Sequence, residues 1–191
     1  ICITLSIIYF AYQNIKEKNI FIRKNLVYLS FFQITFIIAS FLLLIFAFVF
    51  SDFSLLAVYQ NSHTAKPIFY KIAGVWGNHE GSLLLWVNIM VIFSFLFFLF
   101  NYKFNKSYSL YTLLVQNILI FGFLVFLISN SNPFFKILPV PLEGLGLNPI
   151  LQDPALAIHP PILYMGYIGF SLILSFALSG LILKKIDTEW I

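Results

Sequence analysis

Charged residues in this chain gather in a few short stretches, and long apolar runs lie between them. Uncharged runs at residues 1–15, 26–50, 82–100, 108–129 and 161–183 predict five membrane-spanning helices. About 20 residues are needed to cross a hydrocarbon core of about 30 Å. The first run rises only about 22 Å on that scale, so it reads as a helix lacking a turn. It has no basic stretch ahead of it and does not read as a signal peptide. Within the runs, Gln33 is the one strongly polar residue of the second span, and Gln116, Asn117 and Gly122 interrupt the fourth. An amide at that depth predicts a hydrogen bond to a neighbouring helix. Two long polar stretches, 52–80 and 130–160, separate the spans, and the second holds six of the eight prolines.

Composition agrees with the pattern. The chain is 61% hydrophobic and 9% charged, with a mean hydropathy of +0.95, which excludes a soluble globular domain. Five helices use most of the 191 residues, so the expectation is an all-α integral membrane protein with two outer-side loops, organised as one transmembrane domain over 1–191. Abundant Phe, Ile, Asn, Lys and Tyr suggest an A/T-rich genome such as that of an organelle.

Basic residues set the sidedness. Lys16, Lys18, Arg23, Lys24, Lys103, Lys106, Lys184 and Lys185 fall on one side, against Lys66, Lys71 and Lys136 on the other. The larger group faces the cytoplasm or matrix, so residues 52–80 and 130–160, with all three histidines, face outward. The net charge of +4 is explained by these short loops and not by nucleic acid. Cys2 is the only cysteine, which excludes an intrachain disulfide, a CxxC pair and a CxxCH haem-attachment site.

Candidate chemistry concentrates in LNPILQDPALAIHPPILYMGYIGF, residues 147–170. Pro160 and Pro161 suit the first turn of a helix, which predicts a start there with His159 at the N-cap. The helix dipole would disfavour an imidazolium at that end. A neutral imidazole at the rim can ligate a metal or haem iron, and it can equally be an ordinary interfacial residue. Asp153 reads as the N-cap of a short interfacial helix in preference to a partner orienting His159. In the fifth span Gly166, Gly169, Ala177 and Gly180 fall within an arc of about 80°, a packing seam with His159 at its edge.

A second block, WGNHEGSLLLW at 76–86, follows Gly74. On one helix Gly74, Gly77 and Gly81 would lie within about 60° of one another and permit close helix packing. His79 and Glu80, adjacent and about 100° apart, cannot share one metal. Trp76 and Trp86 read as interfacial anchors. No catalytic triad, phosphate loop or carboxylate pair is present, so no catalytic residue is assigned.

These two blocks, with DFSLLAVYQNS at 52–62 and SNPF at 131–134, resemble the CcmF family, the membrane subunit of cytochrome c haem lyase. The resemblance runs in order along essentially the whole chain. It implies that His159 is an axial ligand of haem and that haem is the cofactor. It implies as partners a CcmE-type haem chaperone, a CcmH-type subunit and apocytochrome c. The family's tryptophan-rich WWD loop would begin beyond Ile191, so the chain resembles an N-terminal portion of a larger or split CcmF whose remaining portion carries that loop. The implied location is the mitochondrial inner membrane, with a bacterial inner membrane as the alternative. A competing reading is a non-catalytic accessory membrane subunit of a respiratory or biogenesis assembly. A small transporter ranks lowest, because no span carries an interior charge or paired breaks.

Overall fold

The computed structural model describes residues 1–17, 20–101 and 106–184. Lys18, Lys103 and Lys185 of the sidedness count, and Asp187 and Glu189, lie outside the described residues. The elements are α1 Cys2–Glu17, α2 Ile20–Val49, α3 Leu56–Asn61, α4 Ile68–Trp76, α5 His79–Asn101, α6 Lys106–Asn130, a 3₁₀ turn Pro149–Gln152 and α7 Pro154–Leu183. Strand pairing among the described residues is confined to one bridge, Leu55 with Lys136. The protein is all-α and multi-pass. Helices α2, α5, α6 and α7 are long and apolar enough to cross a membrane, while α1, at 16 residues, is shorter than that length. Exposed Phe31, Phe36 and Phe46 on α2 and Ile162, Phe170 and Ile173 on α7 suit contact with acyl chains.

Three expectations need correction. The basic stretch around residues 16–24 is mostly helix, and Arg23 sits inside α2 at 5% exposure, its guanidinium donating to Ser109 Oγ at 3.4 Å. The long aliphatic stem lets such a side chain lie along apolar surface while its head finds a partner. Helix α7 begins at Pro154, seven residues before the expected 161, and Pro160 and Pro161 lie inside it. Asp153 is the residue that caps it: Oδ1 accepts from Ala155 N at 2.8 Å and from Leu156 N at 3.1 Å, and Pro154 takes the first position, where no N–H is needed. His159 is therefore not an N-cap, and the helix-end argument does not apply to it. Finally, Gly74, Gly77 and Gly81 do not share a helix face, because α4 ends at Trp76 and Gly77 is its C-cap.

The chain forms two compact units. The first comprises Ile1–Phe36, Ile89–Val125 and Gly166–Ile191. Its apolar core is Ile7, Ala11, Leu26, Phe98, Leu110 and Leu113. Gln33 Nε2 donates to Thr4 Oγ1 and to Asn117 Oδ1, both at 2.9 Å, as expected of a buried amide between helices. Gln116 donates to Ser171 Oγ at 2.9 Å and accepts from Ser175 Oγ at 2.7 Å. The lower seam of α7 is packed, with Gly180 buried and Gly169 near Phe93, whereas Gly166 faces open space.

The second unit comprises Ile37–Asn88 and Phe126–Met165. Leu44, Phe48, Phe53, Val58, Val75, Leu84 and Leu127 are in its core. Two polar segments are stitched together by backbone bonds: Leu56 N to Phe135 O at 2.9 Å, Ile137 N to Ser54 O at 2.9 Å, and Leu145 N to Tyr59 O at 2.8 Å. Thr64 donates its N–H and its hydroxyl to the Glu143 carboxylate. These bonds, the hydroxyl first, hold the Glu143 carboxyl down at about 2, against an ordinary 4.5. Gly144 fits because a Cβ there would overlap the Ser62 carbonyl, and Gly146 turns the chain at φ +91°.

Candidate functional site

The second block folds as helix, break, helix. Asn78 closes α4 by donating to the carbonyls of Gly74 at 2.8 Å and Val75 at 3.1 Å. It opens α5 by accepting from Gly81 N at 2.8 Å, the role of an N-cap. Ser82 Oγ donates to the Trp76 carbonyl at 2.6 Å, which ties the new helix to the old one. Gly81 has no alternative, since a Cβ would overlap the Val75 carbonyl.

The prolines of α7 impose a second demand. A helical N–H normally bonds the carbonyl four residues back, so Pro160 and Pro161 leave Leu156 and Ala157 without that donor. The Ala157 carbonyl instead accepts from Trp76 Nε1 at 2.8 Å. Trp76 is thus more than an interfacial anchor. Trp86 stacks at a tilt on Tyr164, with ring centroids 5.5 Å apart. A cavity of about 340 Å³ opens between these elements, lined by Trp76, His79, Ser82, Leu151, Pro160 and Tyr164 among others.

The three histidines have different surroundings. His63 Nδ1 accepts from Ala65 N at 3.1 Å and lies 3.8 Å from Glu143, a role in loop geometry. His79 Nδ1 is 3.1 Å from Ser131 Oγ, and its ring meets Phe126 edge to face at 6.3 Å. Ser131 is buried and its hydroxyl has no other acceptor among the described residues. Which of the two donates follows the ring's tautomer, and either way Nδ1 is engaged within the protein. His159 is exposed on α7 beside exposed Ile158, Ile162 and Leu163, and it makes no hydrogen bond or ion pair among the described residues. Both ring nitrogens are open to a ligand, which fits a single axial imidazole bond to haem iron. No group of three or more His, Cys, Asp or Glu able to hold a metal ion occurs among the described residues.

Sequence reasoning isolated His159 but did not connect it with Trp76. The signal was present: a proline inside a helix must orphan the carbonyl four residues back, and an indole N–H is a donor without an acceptor of its own.

Comparison with known proteins shows the family. The profile of a family described as cytochrome C assembly protein matches residues 76–189, which contain both long blocks. The cytochrome c-type biogenesis protein CycK of Bradyrhizobium diazoefficiens is 49% identical over 158 residues, covering 83% of this chain and 24% of that protein. The cytochrome c-type biogenesis protein CcmF of Escherichia coli is 43% identical over 152 residues, 79% of this chain and 24% of that protein. A solved structure of cytochrome c heme lyase CcmF shares the fold, with a TM-score of 0.82 at 22% identity over 99% of this chain and 29% of that one. The chain spans about a quarter of the length of these curated relatives. With the family profile covering more than half of its residues and such identities along most of its length, this chain belongs to the cytochrome c assembly protein family.

Proposed function

We propose that this chain is a component of cytochrome c haem lyase and helps to hold haem at the outer membrane face for attachment to apocytochrome c. The observation that carries the proposal is the contrast among the histidines: half-buried His63 and exposed His79 are bonded within the protein, whereas exposed His159 makes no bond among the described residues. Haem, when bound, supplies an iron that takes an imidazole nitrogen as an axial donor. The chain's own share is binding and orientation. His159 offers one nitrogen, exposed Ile158 and Ile162 offer apolar flanks, and the Asp153 cap fixes where the helix beneath them starts. One imidazole makes one bond to iron, so a second ligand would come from outside this chain or from another of its residues. A CcmE-type chaperone as donor of haem, a CcmH-type subunit and apocytochrome c complete the proposed partners.

The chain is proposed to be the N-terminal portion of a larger or split protein in a mitochondrial inner membrane. Its A/T-rich residue usage supports that location. The test is cytochrome c maturation in cells carrying His159→Ala or His63→Ala in the full assembly. The first variant is expected to abolish maturation while the assembly still forms, and the second to stay near wild type. Normal maturation by His159→Ala would overturn the proposal.

A further inference from the structure

We propose that Trp76 is a positioning residue for His159, its indole N–H holding the proline-interrupted turn of α7 that carries the histidine. This rests on the reading of His159 as a haem ligand. His159 lies between Ala157, whose carbonyl has lost its helical donor, and Pro161, which causes the loss. Two successive missing hydrogen bonds make this the turn at which α7 bends most easily. Ala157 is only 4% exposed, so its carbonyl needs a donor from within the protein. The Trp76 Nε1 proton supplies it, at 2.8 Å.

The backbone that carries the indole is itself held. The Trp76 main-chain carbonyl accepts from Ser82 Oγ, Gly77 closes α4 beneath it, and a Cβ on Gly77 would press on the side chains of Leu147 and Leu151. The end of α4 and the first turns of α7 are thereby tied into one frame, and the imidazole projects from the tied turn. This accounts for the presence in one protein of both blocks, WGNHEGS and AIHPP: the tryptophan of the first supplies what the second proline of the other removes. Trp76 does not ligate, and it acts through the backbone on the direction of the His159 side chain.

A double-mutant cycle tests the inference in the complete assembly. Replacing Pro161 by alanine restores an N–H at 161, which can take the Ala157 carbonyl in the ordinary helical way and make the indole dispensable. Trp76→Phe keeps an aromatic ring and removes the donor. Haemin titration followed by visible absorption is expected to show about tenfold weaker binding for Trp76→Phe with Pro161 present. In the Pro161→Ala background the same change is expected to cost less than about twofold. A haem-free readout runs beside it: amide hydrogen exchange of residues 155–164 should rise with Trp76→Phe, and the rise should vanish in the Pro161→Ala background. An equal loss in both backgrounds, or no loss in either, overturns the inference. Should Trp76→Phe fail to assemble, recovery in the Pro161→Ala background supports it and no recovery overturns it. If the exchange cycle behaves as expected while His159→Ala binds haemin like wild type, the haem reading has failed and not the tie between the helices.

Discussion

Polar side chains behave differently in the two units. In the first they meet one another across helices, as in Gln33 with Thr4 and Asn117, Gln116 with Ser171 and Ser175, and Thr112 with Ser179. In the second they mostly meet backbone: Trp76 the Ala157 carbonyl, Asn78 the carbonyls of Gly74 and Val75, Ser82 that of Trp76, Glu143 the Thr64 N–H. The cause is regularity. Uninterrupted helices satisfy their own backbone, so polar side chains there are left to recognise other helices. Breaks at Gly77 and at the α7 prolines, and loops between helices, leave backbone groups that side chains must satisfy. The irregular unit also holds the cavity beside Trp76 and carries His159, because irregular backbone is what can be shaped into a site.

Glycine substitutions should separate the units most strongly. Gly81→Ala in the second unit would drive a methyl into the Val75 carbonyl and is expected to cost roughly 3 kcal/mol or to abolish assembly. Gly122→Ala in the first meets nothing within 4 Å and should be neutral or stabilising by up to about 1 kcal/mol. Thermal unfolding in detergent measures both, and equal effects would break the contrast. A smaller effect is expected of Gln33→Leu, about 1 kcal/mol of stability with haem properties unchanged. A haem spectrum altered by Gln33→Leu would mean that function is not confined to the second unit.

The smallest effect concerns pH. The Glu143 carboxyl is held well below its ordinary value by the Thr64 hydroxyl and N–H, so it stabilises the loop wherever it is ionised in both folded and unfolded chains. That stabilisation is complete above about pH 4.5 and is lost as pH falls toward about 2. Protection of the amides of residues 138–146, taken relative to their intrinsic exchange at each pH, should therefore fall as pH drops through this window in wild type, and Glu143→Gln should remove that fall. An unchanged profile in Glu143→Gln would assign the effect elsewhere.

Sequence pattern located α5 and α6 to within three residues, because an uncharged run bounded by polar residues is the physical requirement for crossing a bilayer. Gln33 was also legible, since a buried amide between apolar helices has few places to go. The start of α7 was not. Prolines at 160 and 161 carry the usual mark of a first turn, and the donor that serves one of the two carbonyls they orphan, Trp76, comes from a distant segment. The break at Gly77 was hidden for a similar reason: glycines three and four apart suggest a bare helix face, and the capping side chain of Asn78 turns them into a corner. His159 could be singled out from its wording, but its lack of a bond among the described residues is a matter of tertiary packing.

The most direct test is the absorption and resonance Raman spectrum of haem held by the purified assembly, compared between wild type and His159→Ala before and after addition of imidazole. An imidazole-ligated spectrum in wild type, its loss in the variant and its partial return with free imidazole are the predicted results. A variant spectrum identical to wild type without imidazole would contradict the account, and His159 would then be an exposed residue on a helix that holds no haem.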